Sequence, residues 1–452
     1  MPSARELALK VLYAVDVEGA YGNLALTSVM GKYRPQGPER SLLTELCYGT
    51  LRRLNTIDWV LAKFIKRPLC EQNPWIRNIL RLAVYQILYL DRIPPAAATN
   101  EAVELAKKYA PPSMAGFVNA VLRRVVREKD NLTFPDIRTN PVDHLALKYS
   151  HPTWLVEMWL KEFGLEETIR ICEANNQPAA ATLRTNLLRT TREELMERLR
   201  READLRVSPT LYAPEGIRVQ GFFDLQHLPS YQEGLFYIQD ESSMLAAHAL
   251  APASGSFVLD VCGAPGGKAT HLAELMRDSG RILVVDIYAH RLALVVANSR
   301  RLGLKSVETL QADARSLDQQ FAGQADYVLA DVPCSGLGVL RRKPDIRWRK
   351  EPEIFPGLVT LQQEILESAA ACVRPGGVLL YCTCTLGEAE NLGQIKRFLS
   401  RHPDFLLEDL RPFLPEALDR EGTLRHGYIQ IMPYQGMDGF FIARLRRKKL
   451  AS

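Results

Sequence analysis

The segment Phe257–Lys268 most constrains the fold of this 452-residue chain. Its first five residues are mostly apolar, small residues form a turn at 263–267, and a helical pattern follows at 269–277. This order predicts a buried strand that ends in a tight loop before a helix. Glycines let a backbone approach a ligand closely, and a helix start offers unpaired N–H groups at the positive end of its dipole. The segment therefore predicts a nucleotide-binding loop.

Strand and helix patterns alternate throughout the part of the chain that contains this loop. The apolar runs that predict strands are 257–261, 282–286, 307–310, 326–331 and 378–382, and helical patterns at 269–277, 291–302 and 357–372 lie between them. Such alternation is typical of a mostly parallel sheet covered by helices on both faces, with ligands beyond the carboxyl ends of the strands. We therefore predict an α/β, Rossmann-like core.

An acidic residue ends the strand that follows the loop. Asp286 closes the run Arg281-Ile-Leu-Val-Val-Asp286 and lies 20 residues after Gly266. An acid at that position bonds the hydroxyls of a ribose in doubly wound sheets. Nicotinamide cofactors ordinarily require G-x-G-x-x-G, and the order Gly-Ala-Pro-Gly-Gly at 263–267 lacks that spacing.

The run Ala264-Pro-Gly-Gly-Lys268 resembles the S-adenosylmethionine loop of the RNA 5-methylcytosine methyltransferases. The resemblance implies S-adenosylmethionine as cofactor. Asp313 matches the position that bonds the adenine amino group in that family, although an acid there also suits a helix cap. The residues that we expect to bind the cofactor are Cys262, Gly263, Ala264, Pro265, Gly266, Gly267, Lys268, Asp286, Arg291, Asp313 and Asp331.

Two cysteines follow neighbouring strands, Cys334 in Asp-Val-Pro-Cys and Cys384 in Cys-Thr-Cys-Thr. Carbon 5 of cytosine becomes nucleophilic only after a thiolate adds to carbon 6, so the chemistry requires a cysteine. DNA cytosine methyltransferases use the Pro-Cys cysteine, whereas the RNA enzymes use the Thr-Cys cysteine. We predict Cys384 as the nucleophile and Cys334 as the residue that resolves the adduct. Asp331 and Lys268 are predicted to assist at the base.

The other cysteines carry no predicted chemistry. Cys382 should point to the same face as Cys384 but lie deeper, where packing is its expected role. The spacing of Cys334, Cys382 and Cys384 lacks a zinc-binding signature, so we predict no metal site.

Composition indicates a globular protein of a reducing compartment. The chain is 47% apolar and 24% charged, and it contains neither a run long enough to span a membrane nor a signal-peptide core in its first ten residues. Its eight cysteines lack the paired spacing of a disulfide scaffold. We therefore expect a cytoplasmic protein with no membrane partner.

The first 132 residues are predicted to form an all-helical, RNA-binding domain. Residues 1–145 carry 20 Lys and Arg against 14 Asp and Glu, which suits a polyanionic partner as well as mere solubility. The segments at 99–107 and 116–124 resemble the antitermination factor NusB. Arg123, Arg124 and Arg127 form either a stripe that faces phosphates or a solvated helix face.

Two further domains are predicted after a proline-containing linker. Residues 142–238 suggest a small α+β subdomain, in which Arg184 and Asn186 match a family signature that helps to hold RNA. The catalytic domain is predicted at 239–449. Within it, residues 341–350 carry six basic side chains and one tryptophan, a composition that suits single-stranded RNA or a solvated loop.

A NusB-like domain joined to this core resembles the family members that methylate one cytidine of small-subunit (16S) ribosomal RNA. The resemblance implies that rRNA is the partner, and we expect the protein to act as a monomer. Two alternatives stay open: the same chemistry on tRNA, and a non-catalytic RNA-binding or antitermination factor. The presence of Lys268, Asp331, Cys334 and Cys384 disfavours the second alternative, since a binding module does not require them.

Overall fold

The structure, a computed structural model, describes residues 2–203, 205–220 and 225–449. The chain forms two compact units, one of residues 1–177 with 340–351 and the other of residues 178–339 with 352–452. The three domains that we expected from the sequence, at 1–132, 142–238 and 239–449, stay a prediction. None of the helices in the described ranges is both long and apolar enough to cross a membrane.

The first unit is helical, and apolar helix faces form its core. Its helices are α1 (Ala4–Val17), α2 (Gly22–Tyr33), α3 (Gly37–Arg52), α4 (Leu54–Ala62), α5 (Pro74–Tyr89), α6 (Pro95–Tyr109), α7 (Ser113–Glu128), α8 (Pro141–Lys148) and α9 (Thr153–Asn176). Helix α5 is buried over most of its length, and its start is specified by Asn73, whose side chain accepts from the N–H groups of Trp75 and Ile76. Arg123, Arg124 and Arg127 are exposed on α7.

The basic segment 340–351 folds as part of the helical unit. It forms a 3₁₀ helix, Pro344–Trp348, in which Arg347 is fully buried. The Arg347 guanidinium donates to the carbonyl oxygens of Ser150 at 2.8 Å and Arg52 at 3.2 Å, and the Trp348 indole donates to that of Leu51 at 2.7 Å. Burial lowers the pKa of Arg347 to about 9. The predicted use of this segment for RNA is therefore wrong for Arg347, which holds the segment in place. For Trp348, which is partly exposed, it stays a prediction.

The second unit contains a small antiparallel sheet in the order β2-β3-β1-β4. The strands are β1 (Ala181–Thr185), β2 (Arg206–Pro209), β3 (Gly216–Gln220) and β4 (Phe236–Ile238), and the helices are α10 (Arg192–Ala203) and α11 (Pro229–Gln232). Apolar side chains of α10 pack on this sheet, among them Leu195 and Leu199.

A large mixed sheet forms the rest of the second unit, in the order β10-β12-β9-β8-β5-β6-β7 with β11 beside β12. The strands are β5 (Phe257–Asp260), β6 (Arg281–Asp286), β7 (Val307–Gln311), β8 (Ala325–Asp331), β9 (Val373–Thr383), β10 (Phe405–Leu407), β11 (Tyr428–Ile431) and β12 (Phe440–Arg447). The helices are α12 (Glu241–Leu250), α13 (Gly267–Leu275), α14 (Ala289–Leu302), α15 (Asp318–Phe321), α16 (Ile354–Cys372) and α17 (Leu392–Arg401). Strands β5 to β9 pair in parallel and β12 pairs antiparallel to β9. This arrangement confirms the predicted α/β, Rossmann-like core.

Arg184 of β1 is buried in this unit and does not present its charge to solvent. It forms an ion pair with Glu274 of α13 at 2.8 Å and donates to the carbonyl oxygen of Gly267 at 2.5 Å. Asn186 is also buried and donates to the carbonyl oxygens of Gly234 and Leu302. The predicted contact of these two side chains with RNA is therefore wrong, since both link the small sheet to neighbouring helices and loops.

Candidate active site

Most of the predicted site residues lie at one edge of the large sheet. Strands β5, β6, β8 and β9 run parallel, so their carboxyl ends meet there. Asp286 ends β6, Asp331 ends β8, and Cys384 comes directly after β9. The chain order reverses between β5 and β8, which is the position where open α/β sheets bind ligands.

The glycine loop, residues 261–267, connects β5 to α13 and admits only small residues at two positions. A Cβ atom at Gly263 would lie 2.3 Å from a carboxylate oxygen of Asp260. Gly266 has a φ of +95°, in the left-handed region, and a Cβ there would lie 3.1 Å from a methyl group of Val295. Because α13 begins at Gly267, the loop brings unpaired N–H groups to this edge of the sheet. These features fit a bound nucleotide.

Asp286 is linked to the glycine loop through Arg291. The Arg291 guanidinium pairs with one carboxylate oxygen of Asp286 at 2.7 Å and donates to the carbonyl oxygen of Ala264 at 2.6 Å. The N–H of Tyr288 donates to the other Asp286 oxygen at 2.9 Å. A carboxylate offers about four lone-pair sites, so Asp286 retains acceptor capacity for hydroxyl groups.

Asp313 follows β7 and caps a short 3₁₀ helix. Its carboxylate accepts from the N–H of Arg315 at 3.0 Å and pairs with the Arg315 guanidinium at 2.6 Å. These hydrogen bonds hold the pKa of Asp313 below its ordinary value. The contacts of Asp313 in this structure are therefore those of a helix cap. Adenine binding by Asp313 stays a prediction.

Asp260, which the sequence reasoning did not single out, lies under the glycine loop. It is the last residue of β5 and is fully buried, and neither carboxylate oxygen has a hydrogen-bond partner within the described ranges. Burial, and secondarily the charge of Asp331, raises its pKa to about 7. A signal was available in the sequence, because Asp260 ends the strand that precedes the loop.

Lys268 and Asp331 form an ion pair beside the glycine loop. The Lys268 Nζ donates to a carboxylate oxygen of Asp331 at 2.6 Å, and their side chains are 12% and 28% exposed. Burial alone would lower the pKa of Lys268, but the Asp331 carboxylate outweighs it and raises that pKa. Lys268 therefore stays charged near pH 7, and part of the Asp331 carboxylate is open to a ligand.

The two predicted catalytic cysteines lie side by side. The Sγ atoms of Cys334 and Cys384 are 3.3 Å apart, and both residues are partly exposed. The hydrogen bond with Cys384, followed by burial, raises the pKa of the Cys334 thiol well above its ordinary value. The Cys334 thiol therefore keeps its proton near pH 7. By contrast, Cys382 is fully buried in the apolar core, as predicted for a packing residue.

A buried polar network supports the two cysteines, and the sequence reasoning missed it. The hydroxyl groups of Ser335 and Thr385, which directly follow the two cysteines, are 2.7 Å apart. The N–H of Ser335 donates to Glu390 at 2.8 Å. Gln362 donates both to Glu390 at 2.9 Å and to the carbonyl oxygen of Pro333 at 3.0 Å. No local pattern predicts this network, because hydrogen-bonded members such as Ser335 and Glu390 are 55 residues apart in sequence.

Three segments of the chain match models of known protein families. Residues 247–446 match the family model of the 16S rRNA methyltransferase RsmB/F. Residues 2–127 match the NusB family, and residues 151–226 match the ferredoxin-like domain of the RsmF/B-like methyltransferases.

Relatives of known name cover nearly the whole chain. The probable ribosomal RNA small subunit methyltransferase B of Bacillus subtilis is 40% identical over 99% of both chains. The ribosomal RNA small subunit methyltransferase B of Vibrio vulnificus is 35% identical over 98% of this chain and 99% of its own.

Among solved structures, that of PH0851 is 28% identical, covers 99% of both chains and has a TM-score of 0.83. The structure of NSun6 from Pyrococcus horikoshii with SFG is 25% identical, covers 66% of this chain and 99% of its own, and has a TM-score of 0.60. On these matches, the chain belongs to the 16S rRNA methyltransferase RsmB/F family.

Proposed function

We propose that this protein transfers a methyl group from S-adenosylmethionine to carbon 5 of a cytidine in small-subunit ribosomal RNA. The observation that carries the proposal is the pair of cysteine sulfur atoms, 3.3 Å apart, at the sheet edge that also bears the Lys268–Asp331 ion pair. A methyltransferase that acts on an exocyclic nitrogen or a ribose hydroxyl needs no thiol. Two adjacent thiols suit a reaction in which one bonds to carbon 6 and the other serves proton transfer.

The cofactor proposal rests on the fit of the glycine loop and the acids around it. Asp286 and the loop residues would hold the nucleoside and methionine parts, and the related NSun6 was crystallised with SFG, an analogue of S-adenosylmethionine. When bound, S-adenosylmethionine supplies an electrophilic methyl group. Asp260, buried without a partner in the described ranges, is placed under the loop to receive a hydrogen bond from such a ligand.

Asp286→Ala is expected to weaken S-adenosylmethionine binding by about 1–3 kcal/mol, because a charged acceptor of hydrogen bonds is lost. Titration calorimetry measures the change. Glu308→Ala is a matched control. Glu308 lies on β7, the strand next to β6, and its exposed side chain pairs with Arg281 at the surface. Equal affinity in wild type and Asp286→Ala would remove Asp286 from the cofactor site.

The reaction is proposed to begin with the Cys384 sulfur. Its thiolate bonds to carbon 6, and the electron pair of the 5,6 double bond moves to carbon 5. Carbon 5 would then bond the methyl group as the methyl–sulfur bond of the sulfonium breaks, and S-adenosylhomocysteine would leave. The Lys268–Asp331 pair supports this step. A hydrogen bond from the base edge to Asp331 favours protonation of the ring nitrogen, which makes the ring poorer in electrons. The Lys268 ammonium, 2.6 Å from a carboxylate oxygen of Asp331, would hold that side chain in place beside the base.

Resolution of the adduct is proposed to use Cys334. In the free protein, the neighbouring Cys384 is the first cause of the raised pKa of Cys334. Once the Cys384 sulfur is bonded to carbon 6 it no longer holds a negative charge, so the Cys334 pKa falls. The Cys334 thiol can then release its proton to solvent, and the resulting thiolate takes the proton from carbon 5. The electron pair of that C–H bond restores the 5,6 double bond, and Cys384 leaves as thiolate.

The proposed substrate is rRNA, and the support is the family of the chain and its NusB domain. Bisulfite sequencing of small-subunit rRNA and tRNA, from cells with and without the gene, tests this choice. We expect one unconverted cytidine in small-subunit rRNA that disappears with the gene. A gene-dependent site in tRNA alone would favour the tRNA alternative, and no gene-dependent site would favour a non-catalytic RNA-binding factor. A cytoplasmic location and a monomeric state stay predictions.

A further inference from the structure

Two histidines and one glutamate form a buried cluster that has no part in the chemistry proposed above. Glu215 directly precedes β3 of the small sheet, His248 lies on α12 and His271 lies on α13. The three side chains are 2%, 21% and 1% exposed, respectively. All three belong to the second unit.

The cluster has the geometry of a ligand set. The Nε2 atoms of His248 and His271 each lie 3.0 Å from a different carboxylate oxygen of Glu215. One donor atom from each residue lies within 4.8 Å of the other two. Ligand atoms around a tetrahedral zinc ion lie about 3.3 Å apart, as bond lengths of about 2.0–2.1 Å require. Small side-chain movements would bring the three atoms to that spacing.

His271 gives an independent reason to expect an ion. Its ring is buried, yet neither ring nitrogen makes a hydrogen bond of acceptable geometry within the described ranges, although Nε2 is only 3.0 Å from Glu215. A buried imidazole without a hydrogen bond is costly unless another ligand satisfies its nitrogen.

We propose that Glu215, His248 and His271 bind one divalent transition-metal ion of the zinc type. Two imidazoles and one carboxylate are a common donor set for such ions, and a fourth ligand would come from solvent. The site joins the loop before β3 to α12 and α13, and α13 starts at the glycine loop. The expected role is therefore structural, to hold the small sheet and the first turn of α13 in one arrangement. The inference does not depend on the proposed function.

The sequence predicted no metal site, because its cysteine spacing lacks a zinc-binding signature. The three ligands come from separate elements at positions 215, 248 and 271, with no short motif between them. Only the folded chain brings them together.

The test is titration of the full-length protein with Co²⁺ and Zn²⁺ after dialysis against a chelator. We expect one Co²⁺ per chain, visible absorption bands of a tetrahedral or five-coordinate site, and displacement of Co²⁺ by Zn²⁺. Zn²⁺ should also raise the melting temperature, since an ion that binds only the folded state stabilises it.

Variants identify the site. His248→Gln is the informative change, because His248 is partly exposed and its loss should leave the fold intact, as circular dichroism would check. It should weaken Co²⁺ and Zn²⁺ binding by about 10-fold or more and remove the thermal shift. Glu215→Gln should act in the same direction. His402→Gln is the control, because His402 also contacts a carboxylate, that of Glu367, without a third such ligand in the described ranges.

Two results would overturn the proposal. If the folded wild-type protein binds neither ion, the cluster is a hydrogen-bonded group only. If binding occurs but His248→Gln leaves it unchanged, the ion lies elsewhere, and intense thiolate charge-transfer bands would point to the pair Cys334 and Cys384.

Discussion

Cys384→Ala is expected to abolish methyl transfer to RNA while cofactor binding and RNA binding persist. Without the Cys384 sulfur no bond to carbon 6 forms at the expected place, and carbon 5 stays unreactive. The loss should be about 10⁴-fold or more, the scale for removal of a nucleophile in covalent catalysis. Transfer of a labelled methyl group to small-subunit rRNA measures the loss. Cys70→Ala is the control, since Cys70 is exposed and lies in the helical unit.

The neighbouring cysteine makes this test demanding. Because the Cys334 sulfur is only 3.3 Å from that of Cys384, a mechanism of the DNA type could use Cys334 instead. Substantial activity of Cys384→Ala, together with an inactive Cys334→Ala that forms no adduct, would assign the nucleophile to Cys334.

Cys334→Ala is expected to trap the protein on its RNA. Addition of Cys384 to carbon 6 and methylation of carbon 5 stay possible, but the thiolate that should take the proton from carbon 5 is absent. A covalent protein–RNA complex should therefore accumulate and survive denaturing electrophoresis, while turnover falls to at most about one methyl group per chain. The double variant Cys334→Ala/Cys384→Ala should form no complex. An adduct with Cys384→Ala and none with Cys334→Ala would reverse the two roles.

The large sheet could be predicted because its strands appear as apolar runs in the sequence and are buried in the fold. The strands β5, β6 and β8 are buried on both faces, so continuous apolar runs mark them. Each ends in an acid, Asp260, Asp286 and Asp331 respectively, and the glycine loop follows the first. Parallel pairing alone then brings the chemistry-bearing residues to one edge.

Charged residues that the fold buries could not be predicted in the same way. Arg347 lies in a strongly basic run, which is typical of a solvated or RNA-binding loop, but its guanidinium donates to backbone carbonyls of α3 and of the residues before α9. Arg184 is buried against Glu274, a residue 90 positions away. Such pairings depend on tertiary contacts that leave no periodic pattern in the sequence.

The hydrogen-bonded residues that support the two cysteines could not be predicted from the sequence either. The motifs around Cys334 and Cys384 indicated the reacting atoms, whereas Gln362 and Glu390 carry no motif and were missed. Their role depends on hydrogen bonds between segments that only the sheet brings together.

The central claim is that Cys384 adds to a cytidine of small-subunit rRNA. Its most direct test is mass spectrometry of the protein after incubation with S-adenosylmethionine and small-subunit rRNA that contains 5-fluorocytidine. Fluorine at carbon 5 cannot leave as a proton does, so the adduct is trapped after methyl transfer. We expect a single RNA-linked peptide whose modified residue is Cys384. A linked peptide that carries Cys334 instead, or no covalent complex although the cofactor and RNA are bound, would contradict the claim.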